Sequence, residues 1–187
     1  MFRPSHGPRH VYVLEDGLVR LFRLTPTGEE FTLDYVRPAE LFGEMSVLSD
    51  RPREGFAQAR VESKILQIPG AAFVATLRAY NGVLYSVARK IAGRAIDYQS
   101  RAEELVFLDA RRRLARFLLR LAKSHGQRHG EGLRIGLSLT HAEIAAVIGT
   151  SRQTVSVHLG EFSTAGLITR RRGYLDLPSP ARLEAID

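Results

Sequence analysis

The sequence predicts an α+β fold in three consecutive parts: a β-rich domain, one long helix, and a small helical domain closed by a β-hairpin. Three observations carry this. Residues 11 to 68 alternate apolar and polar residues in short runs broken by turns, residues 84 to 105 repeat apolar residues at alternating steps of four and three, and residues 140 to 162 hold two short helical patterns about Gly149. The expected division is 1–80, 81–108 and 109–187.

In the first part VYVL leads to the turn EDG, LVRLFRL to the turn TPTGEE at 25 to 30, and FTLDYV to RPAE. Phe31, Leu33 and Tyr35 are expected on one face of the third strand, and Thr32 and Asp34 on a wet one. KILQIPG, 64 to 70, reads as a closing strand ending in a Pro-Gly turn. A β-sandwich or a β-roll both satisfy this pattern.

The long helix carries Leu84, Ala88, Ile91, Ala95, Tyr98, Ala102 and Leu105 along one stripe, a coiled-coil seam. Small Ala at alternate places lets two helices approach closely, whereas Arg89, Arg94, Arg101 and Glu103 lie off the stripe. A homodimer is the preferred reading, with packing on the chain's own sheet as the alternative. A break is expected at Leu108 to Asp109, because Asp109 suits a fresh N-cap and Leu114, Phe117, Leu118 and Leu121 start a new apolar face. SHGQRHGEG, 124 to 132, reads as a polar Gly-rich loop, and its two histidines lack a third ligand type for a metal.

Thr140 and Glu143 have the spacing of a capping box, so a helix starts near His141. Ile144, Ala145 and Ile148 form its inner face, Gly149 supplies the exit, and Ser151 caps a second helix from Arg152 with Val155 and Leu159 inward. Ala145 sits where two steeply crossing helices come nearest. This is the spacing of a helix-turn-helix, whose second helix enters the major groove. Arg152 suits guanine O6 and N7, and Gln153 the adenine edge; Ser156 reaches a base or phosphate, and Thr140, His141, Ser151 and Thr154 suit phosphate. AGLITRRRGYLDL then reads as two strands with Arg170, Arg171 and Arg172 at the tip, a basic wing.

Charge agrees with this placement. The chain carries +7 with a pI near 10.2, and residues 109–187 hold 13 Arg and Lys against 7 Asp and Glu. The expected partner is double-stranded DNA. No cysteine is present, no apolar run has membrane-span length, and the start MFRPSHGPRH lacks a signal peptide's apolar stretch, so a cytoplasmic protein without a membrane partner is expected. No catalytic constellation, metal site or cofactor is read, since Glu103 and Glu104 fall on different helix faces and no nucleophile spacing or phosphate loop occurs.

These motifs, from EDG and LFGEMSVL through the seam and FLD to LTHAEIAAVIGTSRQTVS and GLI, resemble the Crp/Fnr superfamily of transcription regulators, and within it the SdrP-type, effector-independent members. The resemblance implies a cyclic-nucleotide-binding-type β-roll, a dimerisation helix and a winged helix-turn-helix that binds a two-fold symmetric operator and contacts RNA polymerase, more often as an activator. It implies an effector site at Gly43, Glu44 (to a ribose hydroxyl) and Arg53 (to the cyclic phosphate). The family's next phosphate-bonding Ser or Thr is here Glu54, and its adenine-contacting Thr-Ser pair is here Tyr98 and Gln99. Those departures predict a regulator that works without cyclic AMP; the alternatives are gating by another small effector or non-specific DNA packaging. Only ten residues precede VYVLEDG, so the roll is expected to have an uncovered edge. In the reading helix Val157 replaces a second Arg and His158 an apolar residue.

Overall fold

A computed structural model describes the chain apart from residues 1, 2, 5, 6, 8, 27, 29, 137, 138, 172 and 187, and it divides into two compact units, Met1–Asp97 and Tyr98–Asp187. In the first unit, β1 (His10–Asp16), β2 (Val19–Leu24), β3 (Glu30–Val36) and β4 (Leu41–Phe42) precede α1 (Glu44–Ser49). Then come β5 (Phe56–Ala59), β6 (Lys64–Pro69), α2 (Gly70–Ala79) and the start of α3 (Asn81–Phe107). The strands form two antiparallel three-stranded sheets, ordered β4-β1-β6 and β3-β2-β5. Leu14, Val19, Val36, Phe42 and Ala57 fill the core between them. A second cluster of Val11, Phe73, Leu77 and Val87 seats α2 and the beginning of α3.

Two expectations for this unit are corrected. The register of β2 against β3 slips between Leu21 and Phe22, leaving Leu33 as an extra residue, and this bulge reverses the phase of the strand's first half. Thr32 is therefore buried and Phe31 exposed, the opposite of strict alternation. The buried Thr32 Oγ1 accepts from Arg20 Nε at 2.8 Å, while Arg20 Nη1 reaches Glu30 at 2.7 Å. The Pro-Gly pair at 69 and 70 does not close a turn either. Pro69, at φ −55 and ψ 135, is the N-cap of α2, a use of its fixed φ that serves a helix start as well as a turn.

The α3 helix runs unbroken for 27 residues. Val87 is buried and Ile91 partly so, but the stripe is otherwise open: Leu84 is 47%, Tyr98 41% and Leu105 46% exposed.

The second unit continues with α4 (Ala110–His125), β7 (Gly126–His129), β8 (Gly132–Ile135), α5 (His141–Ile148), α6 (Arg152–Thr164), β9 (Thr169–Arg171), β10 (Tyr174–Leu177) and α7 (Pro180–Glu184). Asp109 caps α4 as its spacing predicts, accepting from Arg112 N at 2.8 Å, and that bond holds its carboxyl below the usual carboxylate range. Leu114, Phe117, Leu118 and Leu121 of α4 join Ile144, Ile148, Val155, Leu159 and Phe162 in one core. The stretch 124 to 132 is not a loop: most of it is a hairpin, with β7 and β8 joined by a two-residue turn opened by Gly130 and continued into the sheet β7-β8-β10-β9. Arg134 on β8 lies 3.9 Å from the Tyr174 ring centroid and bonds Asp176 at 2.7 and 2.9 Å, which pins the strands beneath the wing.

Thr32→Val keeps the shape of the buried side chain and removes the acceptor of Arg20. A loss of about 1–3 kcal/mol in denaturant-unfolding free energy is expected; a surface threonine would show almost none.

Candidate nucleic-acid interface

The reading unit is assembled by local hydrogen bonds that its own sequence supplies. Thr140 Oγ1 accepts from Glu143 N at 3.1 Å and Glu143 Oε2 accepts from Thr140 N at 2.8 Å, a complete capping box at the start of α5. The helix leaves through Gly149 at φ 64, ψ 53, with the Thr150 amide closing on Ala145 O at 3.1 Å. The positive φ calls for glycine, and a Cβ there would also push aside the tip of Leu105, whose Cδ2 it would meet at 2.7 Å. Ser151 Oγ then accepts from Thr154 N at 3.0 Å and starts α6.

Burial sorts α6 into two faces. Val155, Leu159 and Phe162 are buried, whereas Arg152, Gln153 and Ser156 are exposed at the N-terminal end and Thr154 is half-buried beside the cap. Val157 is exposed, and His158 is half-buried with its Nδ1 3.0 Å from Glu161. Thr140 and Ser151 are exposed at the two helix starts, where backbone N–H groups also favour an anion.

The wing contributes more than sequence reasoning assigned to it. In β9 both Arg170 and Arg171 are exposed; Arg172 lies outside the described residues. Arg170 Nη1 is 2.8 Å from His141 Nε2. Arginine can only donate, so the imidazole accepts and is neutral with its proton on Nδ1. Burial, followed by the positive charges of Arg170 and Arg152, holds the His141 pKa below the usual histidine value. His141 thus reports a gathering of positive charge from the wing and the start of α6 around the start of α5. Three consecutive arginines look alike in a sequence, and only the strand's alternation decides which one turns back to His141.

In the first unit Gly43, Glu44 and Arg53 come together as expected, but on internal partners. Arg53, 4% exposed, donates to Gly43 O at 3.2 Å and to His10 O, and its guanidinium lies 5.6 Å from the Tyr12 ring centroid. Glu44, 1% exposed, accepts from Arg94 Nη1 at 2.6 Å; Arg94 also donates to Leu41 O at 2.8 Å and lies 3.6 Å from Asp34. Glu54 is exposed and pairs with Arg23 at 2.7 Å. On α3, Gln99 donates to Glu103 at 3.1 Å, and the Arg101 guanidinium lies 5.8 Å from the Tyr98 ring centroid. The role of Arg94 was not legible from its place off the seam.

Residues 1–80 match the family model of the cyclic nucleotide-binding domain, and residues 112–186 that of the Crp-like helix-turn-helix domain. A cyclic AMP receptor protein of Thermus thermophilus is 34% identical, over 94% of this chain and 78% of that protein. This chain belongs to the Crp/Fnr superfamily of transcription regulators. The transcriptional regulator SdrP of the same organism is 31% identical over 90% of this chain and 78% of its own length. A solved structure of a further Crp-family regulator from Thermus thermophilus superposes with a TM-score of 0.80 at 30% identity, covering 98% of this chain and 90% of that one. Crp/Fnr regulators bind DNA and are not enzymes.

In the roll, the three residues singled out by the resemblance are engaged by the chain itself. Arg53 donates to the carbonyls of His10 and Gly43, and the carboxylate of Glu54 is turned to Arg23.

The neutral His141 gives a pH signature. Its folded-state pKa lies below the unfolded value of about 6.5, so the folded chain takes up this proton less readily and loses stability as pH falls through that value. His141→Gln keeps an acceptor near the Nε2 position and does not titrate. Unfolding midpoints should fall more steeply for the wild type than for this variant between about pH 7.5 and 5.5; parallel curves would contradict the His141 environment described above.

Proposed function

We propose that the protein is a homodimeric, sequence-specific transcription regulator, more an activator than a repressor, that reads a palindromic operator through α6 and grips the backbone through its wing. The division of labour is 1–80 for the roll, 81–108 for dimerisation and 109–187 for DNA. The observation that carries this reading is the split of α6, whose apolar side is sealed into the core while Arg152, Gln153 and Ser156 stand exposed and the charges of Arg152 and Arg170 meet at His141. Arg152 and Gln153 take base edges; Thr140, His141, Ser151, Thr154 and Arg171 take phosphates.

The exposed stripe of Leu84, Ala95, Tyr98, Ala102 and Leu105, with the partly buried Ile91, supports pairing of two copies along α3. A pair of reading helices then addresses half-sites about 34 Å apart on one face of the duplex. RNA polymerase is the further partner, and the cytoplasm the site of action; among the described residues no helix is long and apolar enough to cross a membrane.

The regulator works without cyclic AMP on this reading, because Arg53 and Glu44 are held by the chain itself. One observation favours a second reading, a different small effector in the roll: Glu44 Oε2 is buried with no hydrogen-bond partner among the described residues and would accept from a donor on such a molecule.

Binding titrations on single-base operator variants test the assignment. Arg152→Ala should lose about 1–3 kcal/mol of discrimination at one base-pair position of each half-site. Arg171→Ala should weaken every sequence about equally and lower the salt dependence. Identical behaviour of the two variants would overturn the division into base and backbone contacts.

A further inference from the structure

The break between α3 and α4 is bridged from both sides. On one side Arg113 donates to three carbonyls: Nη1 to Leu108 O at 2.6 Å, Nε to Ile148 O at 2.7 Å and Nη2 to Gly149 O at 3.2 Å. Leu108 O follows the end of α3, and Ile148 and Gly149 O end α5. These are carbonyls that a helix terminus leaves without intrahelical partners, and they carry the negative end of the helix dipole. One planar fork therefore satisfies two helix ends at once, which the compact ammonium of lysine reproduces poorly.

On the other side Glu104, buried near the end of α3, is ion-paired with Arg120, seven residues and two turns along α4 from Arg113. A third tie is apolar. The side-chain end of Leu105, the last residue of the exposed seam, lies against Gly149. The end of α3 and the turn of the reading unit thus share a boundary, and a change of angle at Leu108 would strain the Arg113–Leu108 bond, the Glu104–Arg120 pair and the Leu105 contact together.

We infer that Arg113 is a positioning residue for DNA recognition: it locks the angle between the end of α3 and the reading unit, and so sets the half-site spacing that a dimer accepts. This rests on the homodimeric reading above. Arg113 itself touches no base or phosphate. Its effect appears only when two reading units must land together, where misplacement removes the gain of a second, tethered contact.

The test compares full-length wild type, Arg113→Met, Arg113→Lys and Glu104→Gln on three kinds of duplex: a selected operator, a single half-site, and operators whose spacer is changed by single base pairs. Arg113→Met should lose on the order of tenfold on the full operator, change half-site affinity by no more than about twofold, and bind the altered spacers almost as well as the original. Arg113→Lys should recover part of the spacer preference, and Glu104→Gln, which weakens the ion pair to Arg120 of α4, should flatten it too. Equal losses on full and half sites, or a wild-type spacer profile in either Arg113→Met or Glu104→Gln, would overturn the positioning role. A wild-type protein with no preference for the full operator over a half-site would instead overturn the homodimeric reading.

Discussion

The close crossing of α5 and α6 is the constraint on which the rest of the DNA-binding unit depends. Ala145 keeps the crossing short, Gly149 turns the chain in a conformation that other residues resist, and Ile144, Ile148, Val155, Leu159 and Phe162 seal the joint. Because these residues fix the rotation of α6 about its own axis, Arg152, Gln153 and Ser156 have only one direction in which to point. Polar display is a by-product of apolar packing. The hairpin beneath the wing is held just as firmly, by Arg134 stacked on Tyr174 and forked onto Asp176, so the wing's arginines are carried on a fixed support.

A different logic governs the roll. Its buried charges take partners from within the unit, Arg20 from Thr32 and Glu30, Arg53 from backbone carbonyls and one oxygen of Glu44 from Arg94 of α3. Burying a lone carboxylate costs several kcal/mol, so the Glu44–Arg94 pair stands or falls as a unit and ties α3 to the roll at Leu41 as well.

Much of this was legible in the sequence wherever the signal is local. The capping box, the Gly149 exit, the Ser151 and Asp109 caps and the inward set of α4 each depend on residues within a turn or two of one another, and each appears as read. Sequence reading failed where a distant strand or helix decides. The bulge at Leu33 is set by pairing with β2, and it turned Thr32 inward against the alternation. The hairpin at 126 to 135 carries few apolar residues to betray a strand, and its pairing with β10 supplies the missing order. Nothing local to Arg94 or Arg113 announces their partners, which lie as far as 50 and 35 residues away in the chain.

The central claim, paired reading of DNA by α6 without cyclic AMP, is tested most directly by selecting bound duplexes from a random pool with the full-length protein, with and without cyclic AMP. The expected outcome is one enriched sequence with two-fold symmetry, half-site centres about one helical turn apart, recovered equally in both conditions. Enrichment of an asymmetric sequence, no enrichment at all, or affinity that rises tenfold or more with cyclic AMP would contradict it.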